Sequence, residues 1–138
     1  MPVPKIVDGT SYWEQIGNQK NHAAIGFADW FQNYPHPLDW FGRLLDGRAI
    51  TLRHNQNYAN ANVPAMNRLI ASLAHRPKLT PAVNAEWAAL DRLAIEEALW
   101  APFVNRNFTA FFSKRVDPKC AVVHVLYDFD WSTICQSD

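Results

Sequence analysis

The segment Tyr34-Pro35-His36-Pro37 constrains the fold more than any other feature of this 138-residue chain. Each proline fixes its own φ and pushes the residue before it, Tyr34 or His36, towards an extended conformation. Neither a regular helix nor a fully paired strand is compatible with such a segment. The sequence therefore predicts a stiff, irregular loop here, and loops of this kind often present side chains to ligands.

The stretches on either side of this loop have readable patterns. Residues 23–30 are compact and apolar with Gly26 among them, which predicts a buried strand. After the loop, apolar side chains recur at helical spacing from Leu38 to Leu45. Asp39 lies near the positive end of that segment and Gly47 just beyond it, so we expect a helix of about two turns.

Two longer helices are predicted in the middle of the chain. Residues 64–75 carry apolar side chains at i, i+3, i+4 and i+7, which is typical of an amphipathic helix, and Asn62 is positioned to cap it. A second helix follows the prolines at 77 and 81. We expect Thr80 to cap it and the helix to run to about Leu99.

The two ends of the chain differ in character. Near the start, Thr10 or Ser11 can cap a short helix that Gly17 ends, and residues 18–22 form a polar loop. Three stretches near the other end are short and β-prone: residues 100–105, 108–113 and 121–130. Because the element types alternate and no linker divides the chain, the sequence predicts an α/β fold in one domain, or part of one, over residues 1–138.

Charge and composition exclude several classes of protein. Thirteen Lys and Arg balance thirteen Asp and Glu, and the longest basic run is Lys114-Arg115, so we expect no nucleic-acid partner. No stretch approaches the roughly 18 apolar residues of a membrane span, and the first residues lack the pattern of a secretory signal. Cys120 and Cys135 suit either a disulfide or two idle thiols, and the sequence leaves both open.

Motifs of catalytic or metal chemistry are not found. The five glycines are scattered, so there is no phosphate-binding loop. No histidine has a histidine partner one helical turn away, and no serine lies in a G-x-S-x-G elbow. Glu96 and Glu97 are adjacent on a helix and point in different directions, which favours a solvated face. We expect no enzymatic activity, no cofactor and no metal.

Aromatic side chains accompany the proline loop and return at Tyr58. Rigid aromatic faces beside polar groups can form a preorganised binding wall, and an aromatic corner of the core is an equally good interpretation. A group of asparagines suits either a polar pocket or, more commonly, turns and caps: Asn55, Asn57, Asn60 and Asn62.

The stretch Trp30-Phe-Gln-Asn33-Tyr34-Pro35-His36-Pro37 resembles a family pattern, Gly-Trp-x-x-Asp-Tyr-Pro-Asp-Pro. Family 5 extracellular solute-binding proteins, the peptide and nickel class of ABC importers, carry it after a strand in their second lobe. Later segments are similar to those that follow in the family: Asn57-Tyr58-Ala-Asn60, residues 63–73, residues 86–103 and Ser113-Lys-Arg-Val116. The resemblance runs in order from about Lys5 to Val116.

This resemblance implies the C-terminal portion of a two-lobed periplasmic binding protein-like II fold, with about four helices and short strands. It places Asp29, Trp30, Asn33 and Tyr34 at the ligand. In peptide-binding members an Asp at the position of Asn33 meets the ligand's ammonium group. Either Asp29 supplies that charge here, or the ligand is not a free peptide, because a buried ammonium without a carboxylate is costly.

A second departure from the pattern is His36, which stands where the family has Asp. Its charge can change near neutral pH, or it can sit at the surface. A half of a two-lobed fold is also expected to expose apolar surface, and therefore to self-associate in isolation.

The implied function is the ligand-binding portion of an importer's extracytoplasmic solute-binding protein. Its expected partners are a peptide or small polar solute and, through a longer parent protein, the membrane subunits of an ABC transporter. The expected location is periplasmic or extracellular. The alternative is a standalone cytoplasmic interaction module with an aromatic docking loop. A weaker third option is a small hydrolase that uses His36 with Asp29 or Asp39.

Overall fold

Four α-helices form where apolar residues recur at helical spacing: α1 (Gly9–Ile16), α2 (Leu38–Leu44), α3 (Pro64–Ala74) and α4 (Pro81–Glu96). The structure, a computed structural model, describes residues 3–104, 109–124, 126 and 128–136. The chain divides into two compact units. The first contains Met1–Phe31 and His36–Ala101, and the second contains Gln32–Pro35 and Pro102–Asp138. Within the described residues, none of the helices combines the length and apolar character needed to cross a membrane.

The N-cap of helix α1 lies two or three residues before the predicted caps, Thr10 or Ser11. Asp8 is the N-cap, and its Oδ1 accepts a hydrogen bond of 2.8 Å from the backbone N–H of Thr10. Asp is among the best N-cap residues because its side-chain oxygen satisfies an N–H that the helix leaves without a partner. The helix ends at Gly17, as predicted, and the polar loop after it contains a 3-10 turn over Gln19–Asn21.

Helix α4 starts at the predicted cap. The Thr80 hydroxyl oxygen accepts a hydrogen bond of 3.3 Å from the backbone N–H of Val83, and proline occupies the first helical position. The helix ends at Glu96, a little before the predicted limit of Leu99. Ala98 has φ of 53°, a left-handed conformation in which a helix does not continue.

Helix α3 has the predicted bounds but not the predicted cap. Its N-cap is Val63, which makes no side-chain capping bond. The prediction for Asn62 is wrong because its side-chain oxygen instead accepts a hydrogen bond of 2.8 Å from Asn67 Nδ2. Asn67 also accepts a bond of 2.8 Å from the backbone N–H of Gly47, so these side chains tie the loop to the helix.

The hydrophobic core lies between α2, α3 and α4, and α3 packs against both of the others. Its buried side chains are Leu44, Leu45, Ala61, Met66, Ile70, Leu73, Val83, Trp87, Leu90 and Ala94. Phe41 of α2 stacks on Trp87 of α4 with ring centroids 5.5 Å apart. The apolar faces of α3 and α4 are therefore buried in the core, as the spacing of their apolar residues predicts.

The predicted buried strand at residues 23–30 is wrong. These residues form no strand, and Ile25 is 87% exposed. A strand needs a neighbour to receive its backbone hydrogen bonds, and within the described residues the first unit contains no strand to pair with. The segment is instead irregular and is hydrogen-bonded to α1 through Phe27 and Tyr12.

The second unit contains a two-stranded antiparallel sheet, β1 (Val123–His124) and β2 (Asp128–Phe129). A disulfide joins Cys120 to Cys135 across a Cα–Cα distance of 5.7 Å, which settles the choice that the sequence left open. Beside the sheet, three aromatic rings are in contact: Phe112, Phe129 and Trp131. A sheet this small has little core of its own, and the disulfide closes the segment that contains it.

Two expectations for the second half of the chain fail. Within residues 121–130, Val123–His124 pairs with Asp128–Phe129 instead of forming one continuous strand, and Val125 and Tyr127 lie outside the described residues. The described parts of the β-prone stretches 100–105 and 108–113 form no strand. Phe103 and Phe111 in these stretches are exposed, so burial does not fix them in a sheet.

Candidate ligand-binding site

The segment before the proline loop, residues 23–30, is held against α1 by Tyr12. The Tyr12 hydroxyl donates a hydrogen bond of 2.6 Å to the backbone carbonyl of Phe27. Gly26 allows this approach, because a Cβ at that position would lie 3.0 Å from the same hydroxyl oxygen. The segment that carries Asp29 therefore lies beside the aromatic side of α1.

Three aromatic rings of the first unit, Tyr12, Trp13 and Tyr58, form what we call the aromatic patch. The centroids of Tyr12 and Trp13 are 5.3 Å apart and nearly perpendicular, and those of Trp13 and Tyr58 are 5.8 Å apart. Trp13 is 39% exposed and the two tyrosines are half-buried. None of the three belongs to the buried hydrophobic core.

Asp29 lies two residues after Phe27, whose carbonyl is hydrogen-bonded to Tyr12, and its charge acts on Tyr58 of the aromatic patch. Burial raises the pKa of Tyr58, and the charge of Asp29 raises it further because a second negative charge nearby is unfavourable. In the part of the chain that the structure describes, the ion pairs are Arg48 with Asp46 and Arg76 with Glu86. The half-buried carboxylate of Asp29 thus has no cationic side chain of the described residues against it.

Tyr58 is positioned by the buried asparagine network of its own loop. Asn57 donates from Nδ2 to the carbonyls of Asp46 and Ala61, at 3.1 and 2.9 Å, and its Oδ1 accepts from the Ala61 N–H. Asn55 donates to the Asn57 carbonyl at 2.8 Å. These bonds confirm the interpretation of the asparagines as turn-forming residues, and the polar-pocket interpretation is wrong for Asn55 and Asn57.

Trp30 joins the segment to the helical core. Its indole Nε1 donates a hydrogen bond of 3.1 Å to Oδ2 of the buried Asp39 on α2, and its ring packs against the core. Buried indole N–H groups need such a partner. Trp30 therefore has a structural role, and its contact with a ligand stays a prediction.

Asn33 and Tyr34 belong to the second unit, whereas Asp29 and Trp30 belong to the first. Both Asn33 and Tyr34 are exposed, Tyr34 by 44% of its surface. Their roles at a ligand stay predictions.

His36 is half-buried at the start of α2 rather than free at the surface. Its Nδ1 accepts a hydrogen bond of 3.1 Å from the backbone N–H of Leu38, and its ring meets Trp87 edge-on at 5.7 Å. These contacts give it a capping role at the end of the proline loop.

Sequence reasoning named Tyr58 but missed Tyr12 and Trp13. Both lie within the short helix that the sequence predicts before Gly17. Neighbouring side chains on a helix point in different directions, so Tyr12 and Trp13 cannot both face directly into the core. That local signal was available in the sequence, whereas the contact of Trp13 with Tyr58 was not.

One group of side chains in the second unit has ligand atoms of the kind that bind metals. Within the described residues, Asp117, Cys120 and Cys135 bring such atoms within 4.8 Å of one another. Metal ligation by cysteine requires the thiolate. Because Cys120 and Cys135 are joined in a disulfide, neither sulfur is a thiolate that could bind a metal.

No family model matches the chain, and no curated protein sequence matches it. A solved structure described as "Clavulanic acid biosynthesis oligopeptide binding protein 2" matches with a TM-score of 0.82 and 24% sequence identity. The match covers 97% of this chain and 25% of that one. The likeness shows the fold. The chain has the α/β fold of a portion of that protein and spans about a quarter of its length, as the sequence predicted for a partial fold.

Proposed function

We propose that this chain is the ligand-binding portion of an extracytoplasmic solute-binding protein, taking a peptide or a similar small polar solute. The observation that carries the proposal is the fold: almost the whole chain superposes on a quarter of a protein whose name describes oligopeptide binding. The half-exposed aromatic patch and Asp29 give this portion a surface with the chemistry of a binding site.

The remaining parts of the proposal concern the longer protein. We propose that this chain is the C-terminal portion of the two-lobed fold. The longer parent protein would deliver the solute to the membrane subunits of an ABC transporter. We propose no catalytic activity for the chain or for its parent. The Cys120–Cys135 disulfide supports a periplasmic or extracellular location, because disulfides persist mainly in oxidising compartments.

Titration of the full chain with the tripeptide Ala-Ala-Ala, followed by two-dimensional NMR of backbone amides, tests this function. Binding is expected to shift the amides of Asp29, Trp30, Asn33 and Tyr34 in a saturable way. Asn33→Ala should weaken binding about tenfold, since it removes a hydrogen bond to a polar ligand. Asn84→Ala, an exposed asparagine on α4, is the matched control and should leave affinity unchanged.

One result would contradict the proposal, and a second would remove one residue from the predicted site. Amide shifts that do not saturate would mean that the chain has no site for a peptide. Equal affinities of the Asn33 and Asn84 variants would remove Asn33 from the predicted site. The site would then consist of Asp29, Trp30 and Tyr34.

A protein-docking loop is the second candidate function, because Phe31 is 73% exposed beside the proline loop. A large exposed aromatic side chain is common in protein interfaces. A docking loop predicts that Phe31→Ser abolishes capture of a protein partner and leaves tripeptide binding unchanged. Solute binding predicts saturable amide shifts with the tripeptide alone.

A further inference from the structure

A carboxylate lies beside the disulfide of the second unit. Asp117, Cys120 and Cys135 bring one ligand atom each within 4.8 Å of the others. Asp117 starts the 3-10 turn Pro118–Cys120, and its Oδ1 accepts a hydrogen bond of 2.9 Å from the backbone N–H of Lys119. Cys120 closes the same turn by donating its backbone N–H to the Asp117 carbonyl at 3.1 Å. One turn of the backbone thus orients the carboxylate and the first sulfur together.

The second sulfur is held opposite this turn by bonds that involve neither sulfur atom. The backbone N–H of Asp117 donates to the Cys135 carbonyl at 3.0 Å, and Val116 and Gln136 form an antiparallel bridge next to it. The approach of the two cysteine backbones is therefore a property of the fold as well as of the covalent bond. All three side chains of the group are half-buried, so a small reagent or ion can reach them.

Reduction of the disulfide changes what this group can bind. A dithiol supplies two electrons and two protons, the S–S bond breaks, two thiols form, and the dithiol leaves as a disulfide of its own. A divalent ion that binds both sulfurs then displaces their two protons, because the thiolate is the metal ligand. The ion would be surrounded by two thiolates and one carboxylate.

We propose that Asp117, Cys120 and Cys135 form a site for a thiophilic divalent ion such as Zn²⁺ in the reduced chain. Thiolates select such ions over Ca²⁺ and Mg²⁺, which prefer oxygen ligands. Two sulfurs at about 2.3 Å from a tetrahedral zinc ion lie about 3.8 Å apart. The Cα–Cα distance of 5.7 Å permits that separation by rotation of the side chains. This inference goes beyond the proposed function and uses none of its predicted ligand residues.

The bound ion would close the same segment of chain that the disulfide closes. A two-stranded sheet of this size has little core of its own, so its order depends on that closure. Because metal binding is coupled to folding, the ion should restore the hydrogen-exchange protection of β1 and β2 that reduction removes.

Cobalt(II) reports on such a site, because thiolate-to-Co²⁺ charge-transfer absorption appears only when sulfur binds the ion. The full chain is reduced with a dithiol, freed of it by gel filtration without oxygen, and titrated with Co²⁺ and then with Zn²⁺. We expect one Co²⁺ per chain, and its displacement by Zn²⁺, which binds such ligands more tightly. The oxidised chain should show no charge-transfer absorption. Zn²⁺ should restore protection of the β1 and β2 amides in the reduced chain.

Asp117→Asn tests the carboxylate, and Asp130→Asn is its matched control. Each aspartate starts a 3-10 turn of the second unit and accepts a hydrogen bond from the backbone N–H two residues later, and asparagine can keep that bond. Asp117→Asn should weaken Zn²⁺ binding by about tenfold or more, since loss of even an outer-shell partner costs that much. Asp130→Asn should leave it unchanged. Cys120→Ser should lose saturable binding over the same range of concentrations.

Four outcomes would overturn the site. Equal affinities of Asp117→Asn and Asp130→Asn would show that the thiolates alone bind the ion. One ion per two chains would show that thiolates of two copies share it. Binding without charge-transfer absorption would show an adventitious ion only. Binding that leaves β1 and β2 unprotected would place the thiolates outside the folded sheet. None of these outcomes bears on the proposed function, because tripeptide binding is measured on the oxidised chain.

Discussion

Asn57 organises the loop between α2 and α3 from a fully buried position. Its amide satisfies the carbonyl of Asp46 and both backbone groups of Ala61. Buried polar groups are costly unless they are hydrogen-bonded, and here one side chain serves three backbone groups. Since Tyr58 is the next residue, the geometry of the aromatic patch depends on this asparagine.

Replacing Asn57 by Ala should lower the free energy of unfolding by about 2 to 4 kcal/mol, because it leaves buried backbone groups without partners. Urea unfolding followed by tryptophan fluorescence measures the change. Asn84→Ala on the exposed side of α4 is the control, and its effect should stay within about 0.5 kcal/mol. Similar losses for the two variants would show that the Asn57 network does not stabilise the loop.

The titration of Tyr58 reports directly on Asp29. Burial and the Asp29 charge both raise the pKa of Tyr58, so Asp29→Asn should lower that pKa while leaving it above the value of an exposed tyrosine. Tyrosinate absorbance against pH measures it, with Tyr58→Phe identifying the signal. Asp91→Asn should leave the pKa of Tyr58 unchanged. An unchanged pKa in Asp29→Asn would place the carboxylate away from the patch.

At the scale of elements, the helices were predictable and the strands were not. α3 and α4 follow from apolar periodicity and from Thr80, both of which are local features of the sequence. A strand depends on a partner elsewhere in the chain, and residues 23–30 have none among the described residues of their unit, so this apolar stretch forms no strand. The aromatic patch was missed for the same reason, because Trp13 meets Tyr58 only through the fold.

The Cys120–Cys135 disulfide should carry much of the stability of the β1–β2 hairpin. Closing a segment with a sequence separation of 15 contributes about 3 kcal/mol by restricting the unfolded chain. Reduction, or the Cys120→Ser and Cys135→Ser double variant, should therefore abolish hydrogen-exchange protection of the β1 and β2 amides. The amides of α3 and α4 should keep theirs, since a separate core holds them. Equal loss of protection in the helices would show that the disulfide stabilises both units.

At the scale of the whole molecule, many large apolar side chains lie outside the helical core and are exposed to solvent. Among them are Ile6, Ile25, Phe27 and Phe31 of the first unit and Phe103 and Phe111 of the second. Its match to a quarter of a longer protein gives a physical reason, because a portion of a fold exposes side chains that the remainder would cover.

The isolated chain is accordingly expected to self-associate at protein concentrations on the order of tens of micromolar. Sedimentation velocity over a dilution series measures this, and the weight-average mass should rise with concentration above the 15.8 kDa of one chain. Phe27→Ser with Phe31→Ser should reduce the association, whereas the exposed polar control Asn84→Ser should not. A constant mass of one chain throughout the series would contradict the expectation.

The central claim, that this fold portion carries part of a solute site, is tested most directly by locating a bound peptide. Intermolecular nuclear Overhauser effects between isotope-labelled chain and unlabelled Ala-Arg-Ala give that location without mutation. We predict contacts from the peptide to Asp29 or Trp30, the predicted ligand residues of the first unit. Contacts confined to other surfaces, or none at saturating peptide, would contradict the account.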